Sequence, residues 1–341
     1  MQPSSVPVAL SAYAQPRLGR SLFDLATSVV PYVAISVLMI LTINDSYLPT
    51  LVLIAPAAGF LVRTFVAFHD CAHGSLLPSK RANRHVGRIL GLFVLSPFAR
   101  WRHDHAVHHG SSGNLERRGV GDVITLTTRE YQARSPRSRL AYRLIRHPLV
   151  MFGLGPIIAM IIGPRIATRS QRPRLRHSVL LTDCALLLIA ITLGWLIGWQ
   201  RLLLVWAPPA LLAGSIGIWL FYVQHQFEHA YWQTGDQWNY TDAALQGSSY
   251  LHLHPILRFF TGNIGLHHIH HLNPKIPNYN LKRAHDENPT LHNVPTLTLH
   301  DGLHAIKLKL WDETQGTLVT FNQARQATPT QLTRAAAPRS S

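Results

Sequence analysis

Cysteine is nearly absent from this chain. Cys71 and Cys184 alone occur in 341 residues. That excludes a disulfide-built secreted scaffold, and it supplies too few thiolates for an iron–sulfur cluster or a Cys-rich zinc site. Charge is scarce as well: Asp, Glu, Lys and Arg make up 14% of the chain, against roughly 25% in an ordinary soluble domain. Acidic residues are the scarcest part, with Asp+Glu 16 against Lys+Arg 32 and a net charge of +16. Such a balance can mark a nucleic-acid binder. Here the basic residues fall between long apolar blocks, as the positive-inside rule of membrane proteins requires, so nucleic acid is not an expected partner. Hydrophobic residues reach 47%, too many for intrinsic disorder over most of the chain.

The apolar residues form four blocks, at about 25–43, 50–68, 178–199 and 202–223. Each is long enough for one helical crossing of a bilayer. Short connectors join them into two hairpins. Between the hairpins lies a basic region, His69 to His177, holding more than half of the Lys and Arg. Its two shorter apolar stretches, Gly87–Phe98 and Pro148–Gly163, read as interfacial or re-entrant helices. The 44–49 connector has no Lys or Arg, so both termini and both large polar segments, 69–177 and 224–322, are expected to be cytoplasmic.

The expected fold is therefore an all-α integral membrane protein: four transmembrane helices in two hairpins with a cytoplasmic His-rich di-metal cap, in one domain over residues 1–322. Residues 1–20 carry Arg17 and Arg20 and lack the apolar core of a signal peptide. Leu299, Leu303, Ile306 and Leu310 recur at helical spacing, which predicts an amphipathic helix. The stretch 323–341 is expected to be a disordered tail. Arg63 interrupts the second block and belongs to no motif; it is expected to face the cap or to snorkel.

What is abundant is histidine, 21 residues in all. Four groups share one spacing logic: His69 and His73; His105, His108 and His109; His225 and His229; His267, His270 and His271. On a helix, positions i, i+3 and i+4 share a face, so each group is expected to aim its imidazoles at one point. The ten candidate ligands are too many for one ion and suit two of five or six coordination. Imidazole fits Fe, Zn, Cu and Ni. Asp70, Asp104, Glu228 and Asp242 lie close enough in sequence to hold the second N–H of a ligating ring. Gly262, Asn263 and Gly265 suggest a tight turn that lets the last group dock closely. His103 and His268 fall between ligand positions, His252 and His254 precede Pro255, and His300 and His304 read as surface residues.

At these residues the sequence resembles the membrane-bound fatty acid desaturases with three histidine boxes. The matching pieces are His69-Asp-Cys-Ala-His73-Gly-Ser, Trp101-Arg-His-Asp-His105-Ala-Val-His108-His109, and Gly262-Asn-Ile-Gly-Leu-His267-His-Ile-His270-His271-Leu. The Cys-Ala of the first box is most similar to the acyl-lipid omega-6 (delta-12) branch. The resemblance covers about residues 25–313. It implies two irons held by the box histidines plus a further pair after the fourth span, the place of His225 and His229. In relatives the first member of that pair can be Asn, so the resemblance supports His229 more firmly than His225. It also implies O₂-dependent dehydrogenation of a fatty acyl chain drawn from membrane lipid.

Electrons must come from a separate donor, since the chain shows no haem-attachment motif, no iron–sulfur Cys set and no dinucleotide-binding Gly pattern. Ferredoxin is the first expectation, docked by basic residues that include Lys80, Arg81, Arg84 and Arg88. Three alternatives stay open at this point. A hydroxylase or ketolase acting on an alkane, sterol or carotenoid would use the same cage. A divalent-metal transporter would need ionisable residues inside the membrane, and Asp183 near a span end is a poor start. A di-metal hydrolase would need bridging carboxylates.

Overall fold

The computed structural model describes residues 10–167 and 172–326. The described residues are predominantly helical, and four helices among them are long and apolar enough to cross a membrane. They are α1 (Leu18–Thr42), α2 (Leu48–His73), α7 (Pro173–Ile197) and α8 (Trp199–His225). At 1.5 Å per residue a 25-residue helix is about 37 Å long, more than the roughly 30 Å hydrocarbon core. All four therefore extend beyond the apolar blocks read from the sequence, and α2 and α8 carry their histidines on their last turns.

Between the hairpins come α3 (Lys80–Phe93), α4 (Phe98–Ser111), strand β1 (Leu126–Thr127), α5 (Thr128–Ala133) and α6 (Pro136–Ile145). After α8 follow α9 (Tyr240–Gln246), β2 (Tyr250–Leu251), α10 (Pro255–Phe260), α11 (His267–Leu272), α12 (Asn278–Asp286), β3 (Thr296–Leu297), α13 (Leu299–Ala305), β4 (Leu310–Asp312), β5 (Thr317–Val319) and α14 (Phe321–Gln326). The strands are short pieces in the polar part. They form a three-stranded sheet ordered β1-β4-β5 and a two-stranded parallel pair, β2 with β3.

Helix α2 is the central element, packed on α1, α3 and α8. Its inner face buries Ala58, Leu61, Val62 and Phe68. Helix α7 is peripheral and presents Leu180, Leu187, Leu188 and Trp195 outward, the pattern of a lipid-facing helix. Helix α2 ends at Gly74, whose φ of +68° closes the last turn on the carbonyls of Asp70 and Cys71. That stop sets where His69 and His73 sit. Buried Arg146 ties the small sheet to α8, donating to Ile124 O, Gln226 Oε1 and the Tyr222 hydroxyl at 2.6, 3.0 and 3.1 Å.

Three details differ from the sequence reading, while a fourth, Pro148–Gly163, is helical as expected. Gly87–Phe98 is not one helix; it is split between the end of α3 and the start of α4, because the chain turns at Leu95, with φ of +54°. Pro148–Gly163 is helical, with π-type turns at Leu149–Leu154 and Ile157–Ile162. It bends 58° from α6, and the two together form either a broken span or a re-entrant loop. The helix expected over Leu299–Leu310 stops at Ala305, and Leu310 is a fully buried strand residue paired with Val319. Leu299 and Leu303 are left exposed, so strand pairing outweighed the helical period. Finally, α14 takes in residues 323–326 of the expected tail; residues 327–341 lie outside the described residues.

Candidate metal centre

Nine of the ten candidate histidines converge into two groups. One contains His69, His73, His105, His109 and His270; the other contains His108, His225, His267 and His271. Within each group the ligand nitrogens all lie within 4.8 Å of one another. The ends of α2 and α8, the C-terminal half of α4 and most of α11 supply them.

The boxes do not each address one point. In α4, His105 and His109 share the first group while His108 turns to the second. In α11, His267 and His271 share the second group while His270 turns to the first. The i, i+4 pairs are stacked one turn apart and stay together. The third member, about 100° around the helix from its chain neighbour, serves the other group. Two short helices crossing between the groups thus supply both.

His229 is not brought to either group. Helix α8 ends at His225, and the chain leaves the helix at Gln226 with φ −122° and ψ 72°. Helical spacing therefore stops applying, and His229 lies exposed in the turn beyond. His225, the member with weaker support from the resemblance, is the buried one. His103, His252, His254, His300 and His304 are exposed and outside both groups. His268 is fully buried but faces Tyr250 and His285, and burial beside His285 and His292 pushes it down to about 3.

The inward atoms are Nε2 nitrogens. His109 Nε2 lies 3.1 Å from His105 Nε2 and 3.0 Å from His270 Nε2. His225 Nε2 lies 3.2 Å from His108 Nε2 and 2.9 Å from His267 Nε2. Each neutral ring has one proton and one lone pair, so rings meeting nitrogen to nitrogen cannot all be satisfied by one another. Burial, with neighbouring imidazoles adding to it, holds His105, His109, His267, His270 and His271 well below the usual histidine range. They are neutral and able to donate lone pairs.

Outer partners hold the opposite nitrogen of three of these rings. His69 Nδ1 lies 3.3 Å from Asp70 Oδ1. His108 Nδ1 meets Asp122 Oδ1. His225 Nδ1 donates to the Gly247 carbonyl at 3.1 Å. A proton kept on Nδ1 leaves the Nε2 lone pair facing inward. This donor set, all nitrogen and convergent, fits two borderline transition-metal ions.

Of the expected carboxylate partners, Asp70 is in place. Asp104 instead pairs with Arg100 Nε at 2.6 Å, while Glu228 and Asp242 are exposed and touch no ligand. Asp122 was not found from sequence; it lies on the loop between α4 and β1, 14 positions from its histidine, beyond any local spacing rule. The Gly262–Gly265 turn behaves as expected. A Cβ at Gly262 would sit 2.8 Å from Val66 Cγ1, and one at Gly265 2.5 Å from the Leu251 carbonyl. Only hydrogen lets the loop dock that closely.

Beside the groups is a cavity of about 480 Å³. Its walls are mainly apolar, with Leu61 and Phe65 of α2 facing Leu220 and Phe221 of α8, and they reach His69, His105 and His267. Trp101 forms part of the lining and stacks on His105, ring centres 4.4 Å apart and planes 24° apart. Arg100 and Asp104 are its charged members. The arrangement can hold an extended apolar molecule against imidazoles that could bind metal.

A family model for fatty acid desaturases matches residues 46–300. The chain is 45% identical over 312 residues to a fatty acid desaturase of Bacillus subtilis (strain 168), covering 92% of this chain and 89% of that protein. It is 29% identical over 233 residues to the sn-1 acyl-lipid omega-3 desaturase (ferredoxin) of Synechocystis, covering 64% of this chain and 62% of the relative. It is 28% identical over 238 residues to the chloroplastic omega-6 fatty acid desaturase of Brassica napus, covering 65% and 49%. The last two matches thus take in less than two thirds of the relatives' length, and the Brassica match just under half. With a family model matched over residues 46–300 and a 45% identical relative covering 92% of its length, the chain belongs to the fatty acid desaturases and is an oxidoreductase.

Proposed function

We propose that this protein is an O₂-dependent acyl desaturase working on membrane lipid chains with two iron ions. One ion would be held by His69, His73, His105, His109 and His270, the other by His108, His225, His267 and His271. The observation that carries this reading is that one apolar cavity is lined by His69 and His105 from the first group and by His267 from the second. A chain lying in it would run past both ions.

When bound, the ions supply the redox chemistry that lets O₂ take two hydrogens from adjacent unactivated methylenes, which no imidazole, carboxylate or hydroxyl can do. The protein's part is positioning and exclusion. Phe65, Trp101 and Phe221 confine the chain beside the imidazoles, and fixing two neighbouring carbons to about an ångström sets where hydrogen is lost. Trp101, stacked on His105, holds a ligand ring and a cavity wall in one piece.

We read the regiochemistry as omega-6 (delta-12), supported by the first box and by the omega-6 relative. The donor is read as ferredoxin, supported by the name of the Synechocystis relative. Lys80, Arg81 and Arg88 are exposed on α3 and available to an acidic donor. We read the cap as cytoplasmic, a reading supported by the positive-inside pattern of Lys and Arg.

The test is a fatty-acid profile of an aerobic bacterial host that has a ferredoxin system, expressing wild type beside His105→Ala. Double bonds are located by mass spectrometry of derivatised lipids. A new unsaturated species only with wild type supports the reading, and its position decides omega-6 against other sites. Hydroxylated or keto products would replace desaturation with oxygen insertion.

A further inference from the structure

The second span carries a cation, Arg63, at 7% exposure, and the first carries an anion, Asp24, at 2%. Ionisable residues in spans are costly and tend to mark function. These two pair with each other. Arg63 also donates to the Phe259 carbonyl and lies 4.1 Å over the Phe259 ring. It does not snorkel.

The pair is the far end of a connected chain that reaches a metal ligand. Asn278 Nδ2 donates to Asp24 Oδ2 at 2.9 Å and to Asp70 Oδ2 at 3.0 Å, which uses both of its amide hydrogens. The Asn278 backbone N–H donates to the same Asp70 oxygen at 2.7 Å. It is one of the free N–H groups at the start of α12, where Pro277 provides no side-chain cap. Asp70 Oδ2 is thereby fully engaged, and Oδ1 is left facing His69 Nδ1 at 3.3 Å. Asp70 and Asn278 are 1% and 2% exposed, so water does not compete for these contacts.

We infer that Asn278 and Asp24 are positioning residues of the metal centre: they fix Asp70 on His69 Nδ1, so that His69 presents Nε2 to the five-imidazole group, and Arg63 is the counter-ion that keeps Asp24 charged inside the spans. The inference rests on reading the two histidine groups as a two-metal site. It carries the fold's first span into the geometry of a ligand that lies on the second. A tie that only packed α1, α2 and α12 together would need the size of Asn278 but not its two donated hydrogens.

The experiment is Co²⁺ titration of the full-length, metal-free protein in detergent, followed by visible absorption. Wild type should bind two ions; binding of none would remove the two-metal reading itself. Asn278→Ala and the isosteric Asp24→Asn should each leave one ion bound as in wild type and weaken the other about 10- to 100-fold. Its absorption bands should shift. Asn278→Asp keeps the size but puts a third carboxylate between two others, so it should weaken that ion more than Asn278→Ala does. Asn280→Ala, on the same helix and bonded instead to the Tyr13 carbonyl at 2.9 Å, should bind both ions normally. The inference is overturned if Asn278→Ala binds two ions with wild-type affinity. It is equally overturned if Asn278→Asp is milder than Asn278→Ala, the order a packing role predicts, or if Asn280→Ala weakens the same ion equally.

Discussion

His108 and His109 are adjacent in the chain and belong to different histidine groups: His108 Nε2 lies 3.2 Å from His225 Nε2, and His109 Nε2 lies 3.0 Å from His270 Nε2. The pairing of histidines by sequence box is therefore not their pairing by site. Double substitutions separate the two. His109→Ala with His270→Ala removes two imidazoles from one group and should leave about one ion per chain. His108→Ala with His109→Ala removes one from each and should leave less than one. Iron per purified protein is the measurement, and equal iron in the two double variants would contradict the division into five and four.

His229 provides a second test, because helix α8 ends before it and leaves it exposed. His229→Ala should keep iron content and product yield close to wild type, whereas His225→Ala should lower both. His300→Ala should behave like His229→Ala. Iron loss in His229→Ala as complete as in His225→Ala would mean that the turn after α8 refolds around metal.

The spans, the hairpins and the convergence of nine of the ten candidate histidines were legible because helical spacing and apolar length are local properties. The failures share one cause. His229 was expected to ligate because an i, i+4 pair was assumed to stay helical, and a helix end is set by tertiary contacts that no spacing reports. The division of His108 from His109 depends on which group lies on which side of α4, again a tertiary fact. Asp122 and the Gly247 carbonyl reach their imidazoles across loops. Arg63 stood out as a charge in an apolar block, but its partner Asp24 lies on another span. Asn278 had no signal at all, being one polar residue in a polar segment.

The cavity makes a third prediction. Gly217 lines it, and a Cβ built there meets no atom within 4 Å. It lies eight residues before His225 on α8, about 12 Å along the axis at 1.5 Å per residue. A leucine at this position would fill the slot rather than strike the wall. Gly217→Leu should shift the products toward shorter acyl chains while bound iron stays at the wild-type level. Each methylene denied burial costs about 0.8 kcal/mol, or about fourfold in preference. An unchanged chain-length profile would mean that the substrate tail leaves the cavity before it reaches Gly217. Gly214 is a different case: a Cβ there lies 2.7 Å from Met160 Sδ and 2.8 Å from Pro156 Cβ. Gly214→Leu should reduce folded yield instead of changing selectivity.

Lys309 carries a pH dependence away from the metal centre. Its amine is buried without a hydrogen-bond partner, 5.6 Å over the Tyr222 ring. Burial, with Arg146 adding repulsion, pushes it down to about 7, against about 10.4 in an unfolded chain. Between these values the unfolded state holds a proton that the folded state has released. Stability should therefore rise with pH from about 7 to about 10, and the cost of the buried charge should be fully present below 7. Lys309→Met keeps the apolar stem and removes the charge. It should raise the melting temperature at pH 6 by about 3 °C. The gain should shrink toward pH 10. Thermal melts of wild type and variant from pH 6 to 10 measure it. A constant difference across that range would mean that Lys309 keeps its proton throughout and that its burial is offset by contacts other than those with Tyr222.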